Sequence, residues 1–532
     1  MSQLNNDLKI KNLNHLGIIA GIIDEIGIVE IINDRLGVKP QEKVSTGIIV
    51  KGIIINAMGF LSSPLYLFSH FFDDKATEHL FGEGILPEHF NDDRLGKVLD
   101  RLFEFGLDKI FLAISLAACQ IYKIDKSCSH LDSSSISVQG DYLICNQEDK
   151  DNSEPLPIKI THGHSKDKRP DLKQFLINLI VSGDNGVPLF FQCGNGNDSD
   201  KAKFAEIISN FKKQVNFESI FIADSALYSA KNLLTIKHLS WITRVPLSIK
   251  AAQFLVRDIP ESSLVDTDLE GYKAVEKESK YGGIKQRWFI IESEKRKKSD
   301  LEKLEKKVIK DKEKADSLFK TLSPKKYENR TEIKAVLKCE QKKLKYHHLI
   351  LKNVTKTANK KNKETVYKAE IVIELDSEKI SEEQKKAGRF ILATNVLENL
   401  NTSEILSKYK GQKSCESGFQ FLKNPLFFAD AVFLKTPSRI EAMAMLMGLS
   451  LLVYTLGQRQ LRGNLKQNEV KVKNNTGKMT DNPTLRWIFQ CFHGIHFVVL
   501  NGVKEIYNFT DSQLITIKNF SRHCQKYYIL SG

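Results

Sequence analysis

The sequence predicts an α/β fold that is interrupted by a long insertion and preceded by a helical domain. Residues 126–250 follow the order strand, strand, strand, helix, strand, helix, which is typical of a sheet covered by helices. This pattern stops at residue 251 and resumes at 388. We therefore expect five segments: a helical domain at 1–125, the two parts of the core at 126–250 and 388–460, the insertion at 251–387 and a C-terminal segment at 461–532.

The N-terminal segment is predicted to be helical. Apolar residues recur at three- and four-residue spacings in 14–37 and in 45–60, as on one face of a helix. Gly37 and Pro40 end the first pair of helices, and Asn91 is placed to cap a later one.

The core strands have the clearest pattern. SHLDSSSISV, around Asp132, alternates between apolar and polar residues, and 171–195 contains two strands joined by the turn Gly-Asp-Asn-Gly. A helix, an apolar strand ending at Asp224, a helix from Ser229 and the strand LSWITRVP follow. After the insertion, GRFILATN is a further strand and a helix covers roughly 403–423.

The insertion is predicted to carry a helical, coiled-coil hairpin. YGGIKQRWFIIES is a strand that leads into a Lys- and Glu-rich helix. Its apolar seam, which Asp311 interrupts, consists of Leu301, Leu304, Val308, Ala315, Leu318 and Leu322. The chain turns at Ser323-Pro324, and IKAVLKCEQKKLKYH could return antiparallel to the first helix.

Charge favours a polyanionic partner, with nucleic acid the first candidate. Lys and Arg outnumber Asp and Glu by 79 to 65, and the pI is near 9.1. The excess is concentrated at 295–345, where 19 basic residues face 9 acidic ones. The first hundred residues hold 9 basic and 14 acidic residues, so bulk attraction to DNA does not explain that segment.

The cysteine pattern and the N-terminus indicate a cytoplasmic protein. The eight cysteines form no CxxC pair or zinc-spaced cluster, and the polar N-terminus lacks the layout of a signal peptide. The apolar stretch Ile440–Gly457 is barely long enough to span a membrane and carries Glu441, so we interpret it as a buried core helix.

Asp132 and Asp224 are candidates for acid-dependent phosphodiester chemistry. Two divalent cations can activate an oxygen nucleophile and stabilise the leaving oxygen, and hard cations such as Mg²⁺ require carboxylate ligands. Asp132 lies in a strand beside small serines, and Asp224 ends an apolar strand. A turn or a helix cap is the structural alternative for each residue.

Glu416 strengthens this interpretation. Tyr409, Gln412, Glu416 and Lys423 stand at offsets of 0, 3, 7 and 14 residues. On a continuous helix, at about 100° per residue, the four side chains share a stripe roughly 60° wide. Phe421, Leu422 and the apolar residues after Pro425 surround this stripe, and a polar stripe among apolar residues more often lines a site than faces solvent.

These residues resemble the signature Y-(2)-R-(3)-E-(6)-K of the insertion sequence 4 superfamily of bacterial DDE transposases. Tyr409, Glu416 and Lys423 match it, whereas Gln412 replaces the Arg, as in the insertion sequence 1634 branch. Further similar stretches are HLDSSS, SKDKRPDLKQF at 165–175, ADSALY, TRVP at 243–246 and NPTLRWIFQ at 482–490.

The resemblance implies an RNase H-like catalytic core in which Asp132, Asp224 and Glu416 bind two Mg²⁺ ions, with Mn²⁺ possible. It also implies a large insertion before the Glu, which suits the 192 positions between Asp224 and Glu416. Tyr409 and Lys423 would contact phosphates near the scissile bond. Gln412 can hydrogen-bond a phosphate but cannot neutralise it, because it lacks the guanidinium charge.

Other candidate DNA contacts are less specific. Lys166, Lys168 and Arg169 lie in a predicted loop and could hold the DNA backbone, or simply be solvated; Arg244 of TRVP joins this set through the resemblance. Arg287 and Trp288 in the insertion could stack on an unpaired base, although a Trp packed under the helical hairpin is the alternative.

The sequence thus predicts a transposase that cleaves the ends of an insertion sequence and joins them to double-stranded target DNA, as a homodimer that pairs two ends. Two alternatives remain open at this stage. One is a metal-dependent nuclease that does not join DNA, and the other is an inactive, transposase-derived DNA-binding protein.

Overall fold

The computed structural model describes residues 8–59, 68–140, 142, 155–358, 365–424 and 434–530. The chain divides into two compact units, Met1–Trp241 with Lys408–Gly532, and Ile242–Ser407. The predicted apolar segment after Pro425 falls on 425–433, outside the described residues.

The first unit is mixed α/β. Its strands are β1 (Leu8–Asn12), β2 (Cys128–Val138), β3 (Lys173–Ser182), β4 (Pro188–Gly194), β5 (Ile220–Ala223), β14 (Val472–Lys473), β15 (Met479–Thr480), β16 (His496–Leu500) and β17 (Val503–Tyr507). Its helices are α1 (Leu16–Ile26), α2 (Ile28–Leu36), α3 (Thr46–Ala57), α4 (Phe68–Phe71), α5 (Thr77–Phe81), α6 (Asp92–Phe105), α7 (Leu107–Ile121), α8 (Asp200–Gln214), α9 (Ala230–Thr235), α15 (Lys413–Leu422), α16 (Pro437–Gln467), α17 (Leu485–Cys491), α18 (Asp511–Ile517) and α19 (Arg522–Gln525). Helix α14 (Thr402–Lys410) crosses the boundary between the units.

The predicted core strands of this unit are confirmed. They lie in the order β4-β3-β2-β5, with β2 antiparallel to β3 and parallel to β5. Asn185 and Gly186 adopt positive φ angles in the predicted turn between β3 and β4, which is the conformation that Asn and Gly tolerate. Ser229 caps α9, where its side chain accepts a hydrogen bond from the backbone of Asn232.

The N-terminal segment is helical as predicted, but it also contains a strand that the pattern did not indicate. Strand β1 pairs antiparallel with β16 from the other end of the chain. Helix α1 packs against α19 so closely that a Cβ atom at Gly21 would lie 2.4 Å from the Cα of Cys524. The C-terminal residues therefore complete the N-terminal helical layer.

The long apolar helix α16 lies in the core of this unit. By length and composition it could cross a membrane, but 83% of its most apolar window is buried inside the protein. It packs against α1, α3, α6 and β4. The interpretation as a buried core helix therefore agrees with the structure.

The second unit holds the strands β6 (Trp241–Val245), which begins at the boundary, β7 (Val265–Asp266), β8 (Tyr272–Tyr281), β9 (Ile284–Ser293), β10 (Lys326–Tyr327), β11 (His347–Ala358), β12 (Thr365–Leu375) and β13 (Arg389–Thr394). Its helices are α10 (Lys250–Asp258), α11 (Glu294–Leu322), α12 (Arg330–Gln341) and α13 (Ser377–Lys386). The order β6-β13-β9-β8-β7 is antiparallel throughout. Strand β8 was not predicted, since its charged sequence hides the alternation.

The seam of α11 does not pack in a simple helical hairpin, which corrects the coiled-coil prediction. A helix, α12, does follow the turn, but α11 also packs on β11 and β12 of a three-stranded sheet, β10-β12-β11. The buried cluster here draws on both helices and the sheet, and it includes Ala315, Leu322, Ile333, Leu337, Leu349 and Ile371. Asp311 interrupts the seam because its carboxylate accepts hydrogen bonds from the backbone N–H groups of Lys345 and Tyr346.

Candidate active site

Asp132 and Asp224 lie side by side on neighbouring strands. Strands β2 and β5 are parallel and pair Cys128 with Ile220 and His130 with Ile222. Continued for two residues beyond the last pair, this register would set Asp132 level with Asp224, which directly follows β5. The Asp224 charge raises the pKa of the Asp132 carboxyl, as expected of two acids on neighbouring strands. The sheet therefore brings together the two aspartates that the sequence singled out.

Asp224 also has a local structural role. Its Oδ1 accepts a hydrogen bond of 2.8 Å from the backbone N–H of Ala226, which shapes the turn after β5. It does not cap α9, because Ser229 does. The turn alternative considered for this residue is therefore present, and it coexists with the position beside Asp132.

Burial makes the ionised form of Asp132 unfavourable. Burial raises the pKa of the Asp132 carboxyl to about 6, and the charges of Asp224 and Asp200 add to this rise. The Lys166 charge and a hydrogen bond of 2.8 Å from the Ser133 backbone N–H oppose it. Two acids on one sheet edge would repel when both ionise. This is the electrostatic setting in which a cation is stabilising.

Sequence reasoning missed Asp200 and Ser133 as part of this cluster. The Lys166 ammonium pairs with Asp200 Oδ2 at 2.9 Å and donates to Ser133 Oγ at 3.1 Å, and the Ser133 hydroxyl also donates to Asp200. Asp200 begins α8, so in sequence it looks like an ordinary first-turn acid. Only the fold brings it to β2, and no sequence signal marked it.

Glu416 lies on a helix that packs against the same strand. The predicted helix over 403–423 is broken at Gly411 and Gln412 into α14 and α15, so the stripe calculated for a continuous helix does not hold across the break. Tyr409 lies before the break and is half-buried. Glu416 lies after the break, in the first turn of α15, and is exposed. Helix α15 contacts β2 and β3.

Gln412 contacts β2 through both ends of its carboxamide. Its Nε2 donates to the carbonyl of Leu131 at 2.8 Å, and its Oε1 accepts from His130 Nδ1 at 3.2 Å. Burial lowers the pKa of His130 to about 4, so the imidazole is neutral. The side chain predicted to face a phosphate is thus engaged with the protein.

The three predicted metal ligands are not preassembled. Among the residues that the structure describes, no group of three or more His, Cys, Asp or Glu side chains is arranged to hold a metal ion. Burial, with the nearby charges of Asp132 and Glu416, raises the pKa of the Cys415 thiol. The donor set of hard carboxylate oxygens suits Mg²⁺, and the raised pKa of Asp132 suits a cation.

Lys423 and the predicted DNA-binding loop lie together. Lys423 Nζ pairs with Asp167 Oδ1 at 2.7 Å, and the backbone N–H of Lys166 donates to Ser135 Oγ on β2 at 3.0 Å. Lys168 is exposed, whereas exposed Arg169 forms a two-pronged pair with Asp171. The loop therefore places its basic residues beside β2, with part of their charge neutralised by neighbouring acids.

The candidates in the second unit are placed differently. Trp288 lies in β9, is 2% exposed and donates its indole N–H to Gln286, so its ring is buried, as the packed alternative expects. Stacking of Trp288 on a base stays a prediction. Arg287 is paired with Glu276 at 2.6 Å and also donates to the Leu400 carbonyl. The Arg244 guanidinium lies 5.5 Å from the ring centre of Phe390.

Comparison with known proteins agrees with these assignments at the level of the family. Residues 124–456 match the family described as the Transposase DDE domain, and residues 8–116 match a domain of unknown function, DUF4277. No curated protein matches this chain. A solved structure of the piggyBac transposase synaptic complex with hairpin DNA aligns at 10% identity over 92% of this chain and 81% of that one, with a TM-score of 0.37.

The family match spans more than half of the 532 residues and contains both aspartates and Glu416. The chain is a member of the DDE transposase family, whose members cleave and join DNA.

Proposed function

We propose that this transposase cleaves the ends of its own insertion sequence and joins them to target DNA, with Asp132, Asp224 and Glu416 as ligands of two Mg²⁺ ions. The observation that supports the proposal is the parallel β2–β5 pair inside a DDE domain, together with the effect of the Asp224 charge on Asp132. The parallel β2–β5 pair and its antiparallel neighbours β3 and β4 also support an RNase H-like core.

The carboxylates fit the role of metal ligands. Asp132 is largely buried and its ionisation is disfavoured without a cation, and Glu416 lies on α15, which packs against β2. When bound, two divalent cations would activate the attacking oxygen and neutralise charge at the phosphate. The residues supply the hard oxygen ligands that Mg²⁺ prefers and hold two of them on one sheet edge.

Lys423 and Lys166 would bind the DNA backbone beside the carboxylates. Both ammonium groups now pair with acids, Asp167 and Asp200, in contacts that a phosphate can replace. Lys168, on the exposed side of the same loop, extends this basic surface. Phosphate contacts of this kind fix the register of DNA without reading its sequence.

The proposal extends to assembly and location. Coupled cleavage of two ends requires two active sites, so we expect a homodimer in a paired-end complex. The motifs of this chain resemble those of the insertion sequence 1634 branch. We expect the enzyme to be cytoplasmic and to lie on the nucleoid when it is bound to DNA.

Mg²⁺-dependent cleavage and strand transfer with labelled DNA carrying the element ends tests the proposal. Wild-type protein should produce both products, and Glu416→Gln, which keeps the size of the side chain, should lose both by at least about 10²-fold if it removes a metal ligand. The matched control is Glu404→Gln, an exposed acid in the first turn of α14.

Each other result selects a different conclusion. Activity that survives Glu416→Gln would remove Glu416 from the triad. Cleavage without joining would favour a nuclease, and DNA binding with neither reaction would favour the DNA-binding protein.

A further inference from the structure

The first turn of α15 is attached to β2 by three hydrogen bonds. Gln412 supplies two of them, to Leu131 and His130. The third runs from the Cys415 thiol to the His130 carbonyl, at 3.4 Å between sulfur and oxygen. All three end on the two residues that directly precede Asp132.

The chain at α15 also packs closely against β2 and β3. A Cβ atom at Gly411 would lie 2.8 Å from His130 Nε2. One at Gly418 would lie 3.1 Å from the side chain of Leu179, the residue paired with Asp132 on β3. A methyl group at Gly411 would overlap the His130 ring, and one at Gly418 would require the Leu179 side chain to shift by a few tenths of an ångström.

The two hydrogen-bonded residues, His130 and Gln412, are each spaced so that they share a face of their element with a proposed metal ligand. His130 and Asp132 are two positions apart on β2, so their side chains share one face of the sheet. Gln412 and Glu416 are four positions apart, about one helical turn. The hydrogen-bonded pair therefore lies next to the pair of acids in both elements.

We propose that Gln412 is a positioning residue, whose carboxamide fixes the distance between Glu416 on α15 and Asp132 on β2. This inference rests on the proposed function, because it concerns the metal site formed by those acids. The carboxamide suits the task because it donates to Leu131 and accepts from His130 at once. A guanidinium, which only donates, cannot make this pair of bonds with the same His130 tautomer.

Mn²⁺ binding to the full-length protein, measured by electron paramagnetic resonance of the free ion, tests the inference without DNA or turnover. Gln412→Met keeps the volume and removes both hydrogen bonds. We expect its dissociation constant for Mn²⁺ to rise about tenfold, the usual effect of losing a residue that orients metal ligands. Gln420→Met, at an exposed position of the same helix, is the matched control and should bind as the wild type does.

Two further variants keep the experiment decisive. Cys415→Ala removes only the third hydrogen bond, and we expect a smaller loss, about two- to threefold, even if Gln412→Met folds poorly. Asp132→Asn should abolish binding. If Asp132→Asn abolishes Mn²⁺ binding but Gln412→Met and Cys415→Ala both bind Mn²⁺ as the wild type does, the proposed positioning role of Gln412 is wrong. If Asp132→Asn binds Mn²⁺ normally, the metal site itself is misplaced, and both proposals fail.

Discussion

At the scale of single residues, the site is defined by how its charged groups are compensated. Burial raises the pKa of Asp132, while Lys166 is paired with Asp200 and Lys423 with Asp167. Gln412, which was predicted to be able to hydrogen-bond a phosphate, donates to the Leu131 carbonyl of β2. Several of the predicted polar site residues are thus paired with other protein groups, and sequence spacing could not reveal those partners.

The raised pKa of Asp132 makes stability depend on pH. A carboxyl whose pKa rises from 3.8 to about 6 on folding stabilises the protein below pH 4, and this contribution is lost as the pH rises through 6. Asp132→Asn removes the penalty, so in EDTA the variant should be more stable than the wild type at pH 8, by about 1–3 kcal/mol, and the difference should shrink toward pH 4. Urea unfolding at pH 4.5 and pH 8 measures both.

The comparison is between two proteins at each pH, so the titration of groups that do not interact with Asp132 cancels. A variant that is equally destabilised at both pH values would show that the Asp132 carboxylate is not strained by burial.

At the scale of elements, the local sequence pattern predicted which segments form strands and helices better than it predicted which elements pack together. The strands and helices of the core formed where alternation and apolar spacing indicated them. The predicted helix over 403–423 is broken at Gly411, which lies close to His130, and the seam of α11 packs on a β-sheet as well as on α12. Both outcomes depend on residues far away in sequence, which a periodic pattern does not contain.

Two helical glycines offer a direct test of element packing. Gly21→Ala would place a Cβ atom 2.4 Å from the backbone of Cys524, so α1 and α19 must separate. We expect a loss of about 1–3 kcal/mol in unfolding free energy, as is typical for overpacking. Gly463→Ala in α16 meets nothing within 4 Å and should be neutral or stabilising by up to about 1 kcal/mol.

Chemical denaturation of the three proteins decides the point. Equal stability of Gly21→Ala and the wild type would mean that α19 does not pack against α1 in solution.

At the scale of the whole molecule, the two ends of the chain build one layer of the first unit. Strand β1 pairs with β16, and the Tyr527 hydroxyl donates to Asp24 of α1 at 2.6 Å. Lys51, which is 4% exposed, pairs with the same carboxylate at 2.6 Å. A buried pair of this kind is stabilised only if its remaining hydrogen bonds are made, which here requires the C-terminal tyrosine.

Net charge acts at this scale through DNA binding. The chain carries +14, and each phosphate contact made by a lysine releases counterions. Lys423→Gln should weaken binding equally for all sequences and lower the slope of log K against log salt by about one. Asp167→Asn should tighten DNA binding, because Lys423 then no longer has to break an ion pair with a carboxylate before it binds a phosphate.

Fluorescence anisotropy with one duplex from about 50 to 200 mM salt measures both effects. Lys213→Gln, at the exposed end of α8, is the control. Weaker binding by Asp167→Asn would mean that the ion pair shapes the loop for DNA.

Sequence was sufficient for the strands of the core and the buried character of α16, because alternation and apolar spacing are local properties. It also singled out Asp132, Asp224 and Glu416, whose role as metal ligands stays a prediction. Tertiary structure decided the rest. It paired β2 with β5, added Asp200 and Ser133, and buried Trp288. It also engaged Gln412 with β2. These facts depend on strand register and on contacts between residues up to hundreds of positions apart, and no local pattern encodes such distances.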